Sequence, residues 1–150
     1  MSKAHLPAQK KVEKPLEKQE ILLLYDQQCP MCDYYCNLVH IREDLGNLKL
    51  IDARADSALL SEVTQRGLDI DQGMVLKVGH QLYYGSDAIH VLSLLGSRSG
   101  FFNRMNFTIF RSKKVAHFVY PVLRSVRNLI LKIMGRTKIN NLGQSNNDRF

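Results

Sequence analysis

The sequence predicts an α/β domain in the order β-α-β-α-β-β-α, followed by a basic, amphipathic helical extension, and three observations predict it. The run Ile21-Leu22-Leu23-Leu24-Tyr25 is short and wholly apolar, as a central strand buried on both faces must be. Two more apolar runs, residues 74–78 and 81–84, flank Gly79-His80, the arrangement of a hairpin. The segments between and after these strands carry helical periodicity and end on glycines.

Taken in order, residues 1–19 hold Lys3, Lys10, Lys11, Lys14, Lys18, Pro7 and Pro15 and read as a solvated, disordered tail. Asp26-Gln27-Gln28 breaks the first strand, and a helical pattern runs from Cys29 to about Arg42, ended by Gly46. Residues 48–52 form a second strand. Asp56 or Ser57 then caps a helix running to about Arg66 and stopped by Gly67. After the hairpin, Ser86 or Asp87 caps a helix bearing Ile89, Val91, Leu92, Leu94 and Leu95, up to Gly96. Right-handed crossover makes the first two strands parallel, and the hairpin adds an antiparallel pair. This is the order of the thioredoxin fold, expected over residues 20–100.

Beyond Gly100 the character changes. Val115, Val119, Val122, Val126, Leu129 and Ile133 recur at spacings of four and three and share one helix face. Lys113, His117, Arg124 and Arg127 fall opposite, and Pro121 is expected to kink the helix or divide it in two. Residues 101–136 are thus a basic helical extension and residues 137–150 a flexible tail. The net charge of +7 resides here: residues 101–150 carry ten Lys/Arg against Asp148 alone, whereas the first hundred residues are net −2. Such asymmetry suits an anionic neighbour. The apolar face packing on the domain is the plain reading. An anionic membrane surface is the functional alternative. Nucleic acid is not expected, because no recognition motif accompanies the charge.

With 45% apolar and 23% charged residues, the composition is that of a globular protein. Residues 1–20 contain no apolar stretch of the kind a secretory signal needs, and no run of about 18 apolar residues occurs anywhere. A cytoplasmic location is therefore expected, peripheral to a membrane if the extension binds one. Three cysteines under those conditions argue against a structural disulfide framework and for a catalytic, sensing or metal-binding pair.

That pair is Cys29-Pro30-Met31-Cys32. Positions i and i+3 of a helix bring Cα atoms to roughly 5–5.5 Å, within the span of a disulfide. At the helix start, backbone N–H groups and the dipole stabilise a thiolate on Cys29 and lower its pKa below about 8.5. Cys29, expected to be the more exposed, attacks a substrate disulfide, and Cys32 resolves the intermediate. Pro30 supplies a fixed φ where its missing N–H costs nothing. Asp26, three residues before Cys29, is placed to accept the Cys32 proton, or else to cap the helix or turn the loop.

Rival readings are weaker. C-x2-C-x3-C-x3-H, formed with Cys36 and His40, spans about 16 Å of helix from Cys29 to His40, too far for one metal. No metal site is assigned, although Cys29 and Cys32 alone could share a metal across a subunit interface. Cys36 is expected as a buried, inert thiol. His40, His80 and His90 lack spaced partners, and Tyr83 and Tyr84 fit core packing.

Tyr25-Asp26-Gln27-Gln28-Cys29-Pro30-Met31-Cys32, with Gly85-Ser86-Asp87-Ala88-Ile89 opening a later helix, resembles the DCC family of thiol–disulfide oxidoreductases over roughly residues 20–130. The resemblance implies a thioredoxin-like fold and a redox role for the Asp and the two Cys, here Asp26, Cys29 and Cys32. The chain departs from the pattern at Gln27, where the family more often has glycine. It departs from thioredoxins proper at Gly73, where those carry a proline. Two functions follow. The first is disulfide exchange with a protein or small thiol/disulfide substrate through a redox-active Cys29–Cys32 disulfide, without another cofactor. The second is a non-catalytic redox-sensing or adaptor domain that docks to a membrane or protein partner through the basic helix. Oligomeric state is not legible.

Overall fold

Ile21–Tyr25 forms β1, an inner strand of a four-stranded sheet. The structure is a computed structural model that describes residues 20–39, 48–55, 57–97 and 100–150. The expected tail at residues 1–19, the histidine at position 40, Gly46 and Asp56 lie outside the described residues. Leu48–Asp52 (β2) pairs parallel to β1, with Ile21 opposite Leu48 and Tyr25 opposite Asp52. Val75–Val78 (β3) pairs antiparallel on the other side, and Gln81–Tyr84 (β4) closes the hairpin at the edge. This is the thioredoxin-like α/β arrangement expected from the sequence.

The two-residue period of β1 divides the core. Ile21, Leu23 and Tyr25 face one side, where they meet Cys29, Cys32 and Cys36, Leu92 and Leu131. Leu24 faces the other, against Leu59, Val63, Ile70 and Val75. Helix α1 (Pro30–Leu38) follows β1, and α2 (Ala58–Gln65) follows β2, capped by the Ser57 hydroxyl that accepts from Leu60 N–H. Helix α1 ends at Leu38, where Val39 turns extended, before the expected end near Arg42, a position outside the described residues.

Three further departures have local causes. Helix α3 (Ser86–Leu95) is capped by Gly85, not by Ser86 or Asp87: the chain turns there at φ +61°, a left-handed conformation that glycine reaches without strain. The extension is two helices, α4 (Phe101–Phe110) and α5 (Lys113–Ile133), and the break falls at Arg111-Ser112. Pro121 does not divide the helix. The buried side chains of Ala116 and Leu131 hold α5 on the domain at both sides of it, offsetting the lost backbone bond.

The third departure concerns orientation. Ala116, Tyr120, Leu123, Arg127 and Leu131 face the domain, while Val115, Val122, Val126, Leu129 and Ile133 are exposed, Ile133 to 77%. The apolar stripe read as the packing face therefore points outward, apart from half-buried Val119, and Arg127, read as solvated, is buried. Small and aromatic residues won the contact because α3 and α4 leave room for Ala116 beside Ile89 and Phe110.

Residues 137–150, read as a flexible tail, return to the domain. Ile139 N–H and Asn140 N–H donate to the buried Asp71 carboxylate at 2.9 and 2.6 Å, and Thr137 bridges Arg149. A buried carboxylate needs such donors, and the chain end supplies them.

Candidate thiol–disulfide site

The site begins where β1 stops. Asp26 is 4% exposed, and its Oδ1 accepts from Gln28 N–H at 2.9 Å, closing the turn that delivers Cys29 to the start of α1. Arg54, two residues past β2, donates Nε to Asp26 Oδ1 at 2.8 Å and Nη2 to Oδ2 at 2.9 Å. This bidentate pair engages both carboxylate oxygens. Asp26 holds the Arg54 guanidinium even more firmly protonated than usual, chiefly through these hydrogen bonds. Arg54 also donates to the Thr137 carbonyl at 2.7 Å, so one side chain joins the turn to the C-terminal segment.

Cys29 is the N-cap of α1, with Pro30 in the first helical position. Its Sγ accepts from Cys32 N–H at 3.3 Å, and the two cysteines approach to 2.8 Å. All three cysteines are free thiols. The Cys32 thiol, donating to Cys29, is the main cause that lowers the Cys29 pKa to about 7. Burial opposes it, the Cys32 N–H and the Arg127 charge assist, and Asp26 works against it. Cys32 is pushed far up, first by that same hydrogen bond and then by burial. The sequence assigned the depression to the helix start. The larger cause is the partner thiol.

Both cysteines are buried, Cys29 at 0% and Cys32 at 8% exposure, so neither is the exposed member that the sequence predicts. Cys32 lines a cavity of about 200 Å³ enclosed by Ile89, Phe102, Leu123 and Arg127, with Asp26 also in the wall. Cys36 is buried one turn on, its thiol raised by burial, in keeping with a packing role. His90 Nδ1 donates to the Phe110 carbonyl at 2.8 Å and lies apart from the cysteines' hydrogen bonds. Among the described residues no cluster of three His, Cys, Asp or Glu side chains could hold a metal ion.

Two site residues were not found from the sequence. Arg54 had a signal: parallel pairing of Tyr25 with Asp52 carries the residues just past each strand to the same sheet edge. Arg127 had none, because the stripe that fixed the helix orientation was the outward one. Where thioredoxins carry proline, Gly73 lies so close to Gly85 that an added Cβ would stand 3.0 Å from its Cα, and the Met74 N–H donates to Tyr120 Oη at 3.1 Å. Helix α5 thus occupies the backbone donor beside the site.

A mixed four-stranded sheet with a cysteine pair at the β1–α1 turn defines a thioredoxin-like domain. The model of the family described as DCC1-like thiol–disulfide oxidoreductase matches residues 23–132, and the chain belongs to that family. Comparison with curated proteins and with solved structures returned no match. No helix among the described residues is long and apolar enough to cross a membrane.

Proposed function

We propose that the protein exchanges disulfides through Cys29 and Cys32, and the observation that carries this is the Cys29 thiol poised near pH 7 beside a donating partner thiol. Of the two cysteines, Cys32 lines the cavity, and its sulfur is the one a substrate there would meet in the oxidised pair. A substrate thiolate attacks it, the Cys29–Cys32 bond breaks, and Cys29 leaves as a thiolate. A low leaving-group pKa speeds that step. The substrate's second thiol then attacks its own sulfur in the mixed disulfide and releases Cys32 as the thiol. Reduction of a substrate runs in reverse: Cys32 attacks one substrate sulfur, its proton passes to the substrate sulfur that leaves, and the Cys29 thiolate then attacks Cys32 and releases the other. This exchanges the roles expected from sequence.

Asp26 serves in this reading as a positioning residue, since Arg54 engages both of its oxygens. The exchange needs no cofactor beyond the cysteine pair. The test is trapping with a dithiol peptide and its oxidised form. Cys29→Ser should accumulate a mixed disulfide on Cys32, and the wild type should turn over. Wild type inert toward every disulfide and dithiol tried, with the Cys29 thiolate absorbance appearing only above about pH 8.5, would sink the reading in favour of a non-catalytic sensor.

A second reading is favoured by the outward face of α5. Val115, Phe118, Val122, Val126, Leu129 and Ile133 form an exposed apolar stripe, and residues 101–147 contain no acidic side chain. An anionic lipid surface suits both features, with the lysines Lys114 and Lys132 beside the stripe. Pelleting with phosphatidylglycerol vesicles at low and high salt tests it. Absence of binding at both would rule it out.

A further inference from the structure

The cavity beside Cys32 has a composition that the exchange chemistry alone does not require. Its walls are carbon-rich: Ile89, Phe102 and Leu123 close it, and Met105 and Ile109 of α4 both line it and reach solvent, which marks a mouth. At about 200 Å³ it exceeds the ~150 Å³ space that admits benzene and falls below the ~300 Å³ of larger ligand sites. A group on the order of ten non-hydrogen atoms fits.

Charge then narrows the class. Arg127 is 7% exposed, and among the described residues its guanidinium meets only the Asn128 side-chain oxygen, at 3.0 Å, and the Phe150 ring, at 5.8 Å. Half-buried Arg124, one turn earlier, also lines the space, and no carboxylate among the described residues pairs with either. The one acidic lining residue, Asp26, is already engaged by Arg54. Beyond the Cys29 thiolate that it assists, the buried Arg127 guanidinium has no anionic partner among the described residues, and such a charge finds its compensation in an anion. The surroundings of the cysteines are therefore apolar along the walls and cationic at one side.

Resting on the exchange reading above, we propose that this cavity is the substrate site and takes a small apolar disulfide that bears a carboxylate, of which lipoic acid is the simplest probe. The enclosure of Cys29 and Cys32 disfavours the disulfide of a folded protein. Oxidised glutathione would have to leave several charged groups unsolvated against carbon walls. The step balances. Cys32 sulfur attacks one dithiolane sulfur, the ring bond breaks, and the Cys32 proton passes to the other ring sulfur as it leaves. Cys29 thiolate attacks Cys32, the first ring sulfur departs as a thiolate and takes a proton from water, and two electrons have passed from protein to ring.

Binding and exchange are measured separately. Calorimetric titration of Cys29→Ser/Cys32→Ser protein with octanoate, which has the chain and carboxylate but no sulfur, reads the cavity alone. Octanoate should bind at least roughly tenfold tighter than octyltrimethylammonium, and Arg124→Gln or Met105→Trp should each weaken it by about the same factor. Wild-type reduced protein should then consume lipoate, with loss of the dithiolane absorbance. Octanoate that fails to bind, or binds no better than the cation, overturns the proposal even if a peptide disulfide is exchanged, and the exchange reading survives. Octanoate binding without exchange of any disulfide overturns both the substrate role and the exchange reading.

Discussion

At the residue scale the thiol pair divides its charge unevenly, and the direction can be tested on one atom. The ultraviolet thiolate absorbance that Cys29→Ser abolishes should reach half its limit near pH 7, because the partner thiol and N–H stabilise the thiolate. Arg127→Gln removes a favourable charge and should move that midpoint up. Asp26→Asn removes an unfavourable one and should move it down. The same depression couples to stability. Cys29 falls from 9.0 to about 7 on folding, so its contribution is complete above pH 9 and fades as pH drops through 7. Reduced wild type should gain stability over Cys29→Ser between pH 7 and 9. Above that, Cys32 and Cys36, both raised, ionise only when unfolded and work against the fold. Arg54→Ala strands a carboxylate that is 3% exposed and should cost about 3 kcal/mol or more in urea unfolding. Asp26→Asn should cost less, since Arg54 keeps the Thr137 carbonyl.

At the element scale, α5 decides the site's surroundings and is also where sequence and structure part. The sheet was legible: β1 from its uncharged run, the hairpin from Gly79-His80, the parallel pair from crossover handedness. Cys29 at the head of a helix was legible from Pro30 and the Cys spacing. Helix α5 was not, because periodicity shows that a helix has an apolar stripe without showing that the domain is what covers it. Here Ala116, Tyr120 and Leu131 fill the available space better than valines and isoleucines do. The inversion makes opposite predictions for neighbouring residues. Ile133→Lys, on the exposed stripe, should change stability by no more than about 0.5 kcal/mol. Leu131→Ala, at 0% exposure, should cost about 2–5 kcal/mol. Gly73→Ala would press a methyl against the Gly85 backbone and the Tyr120 hydroxyl, and about 1–3 kcal/mol should be lost in thermal or urea melts.

At the scale of the whole molecule, the family match covers residues 23–132, and residues 137–150 complete the assembly from outside that span. Removing them would leave Asp71, 2% exposed, without the Ile139 and Asn140 N–H groups, and a clear fall in melting temperature is expected. Arg54 bridges Asp26 to Thr137, contacts separated by 28 and 83 positions along the chain. That span carries a consequence in time. Loops this long close late, after local helices and the hairpin have formed. During synthesis or refolding the cysteines therefore exist before the contacts that order their turn, with ordinary thiols open to any oxidant in reach. The interval between making Cys29 and docking Thr137 is a window of chemical vulnerability. A pulse of alkylating reagent during refolding should label the cysteines until the last phase, when the C-terminal segment docks.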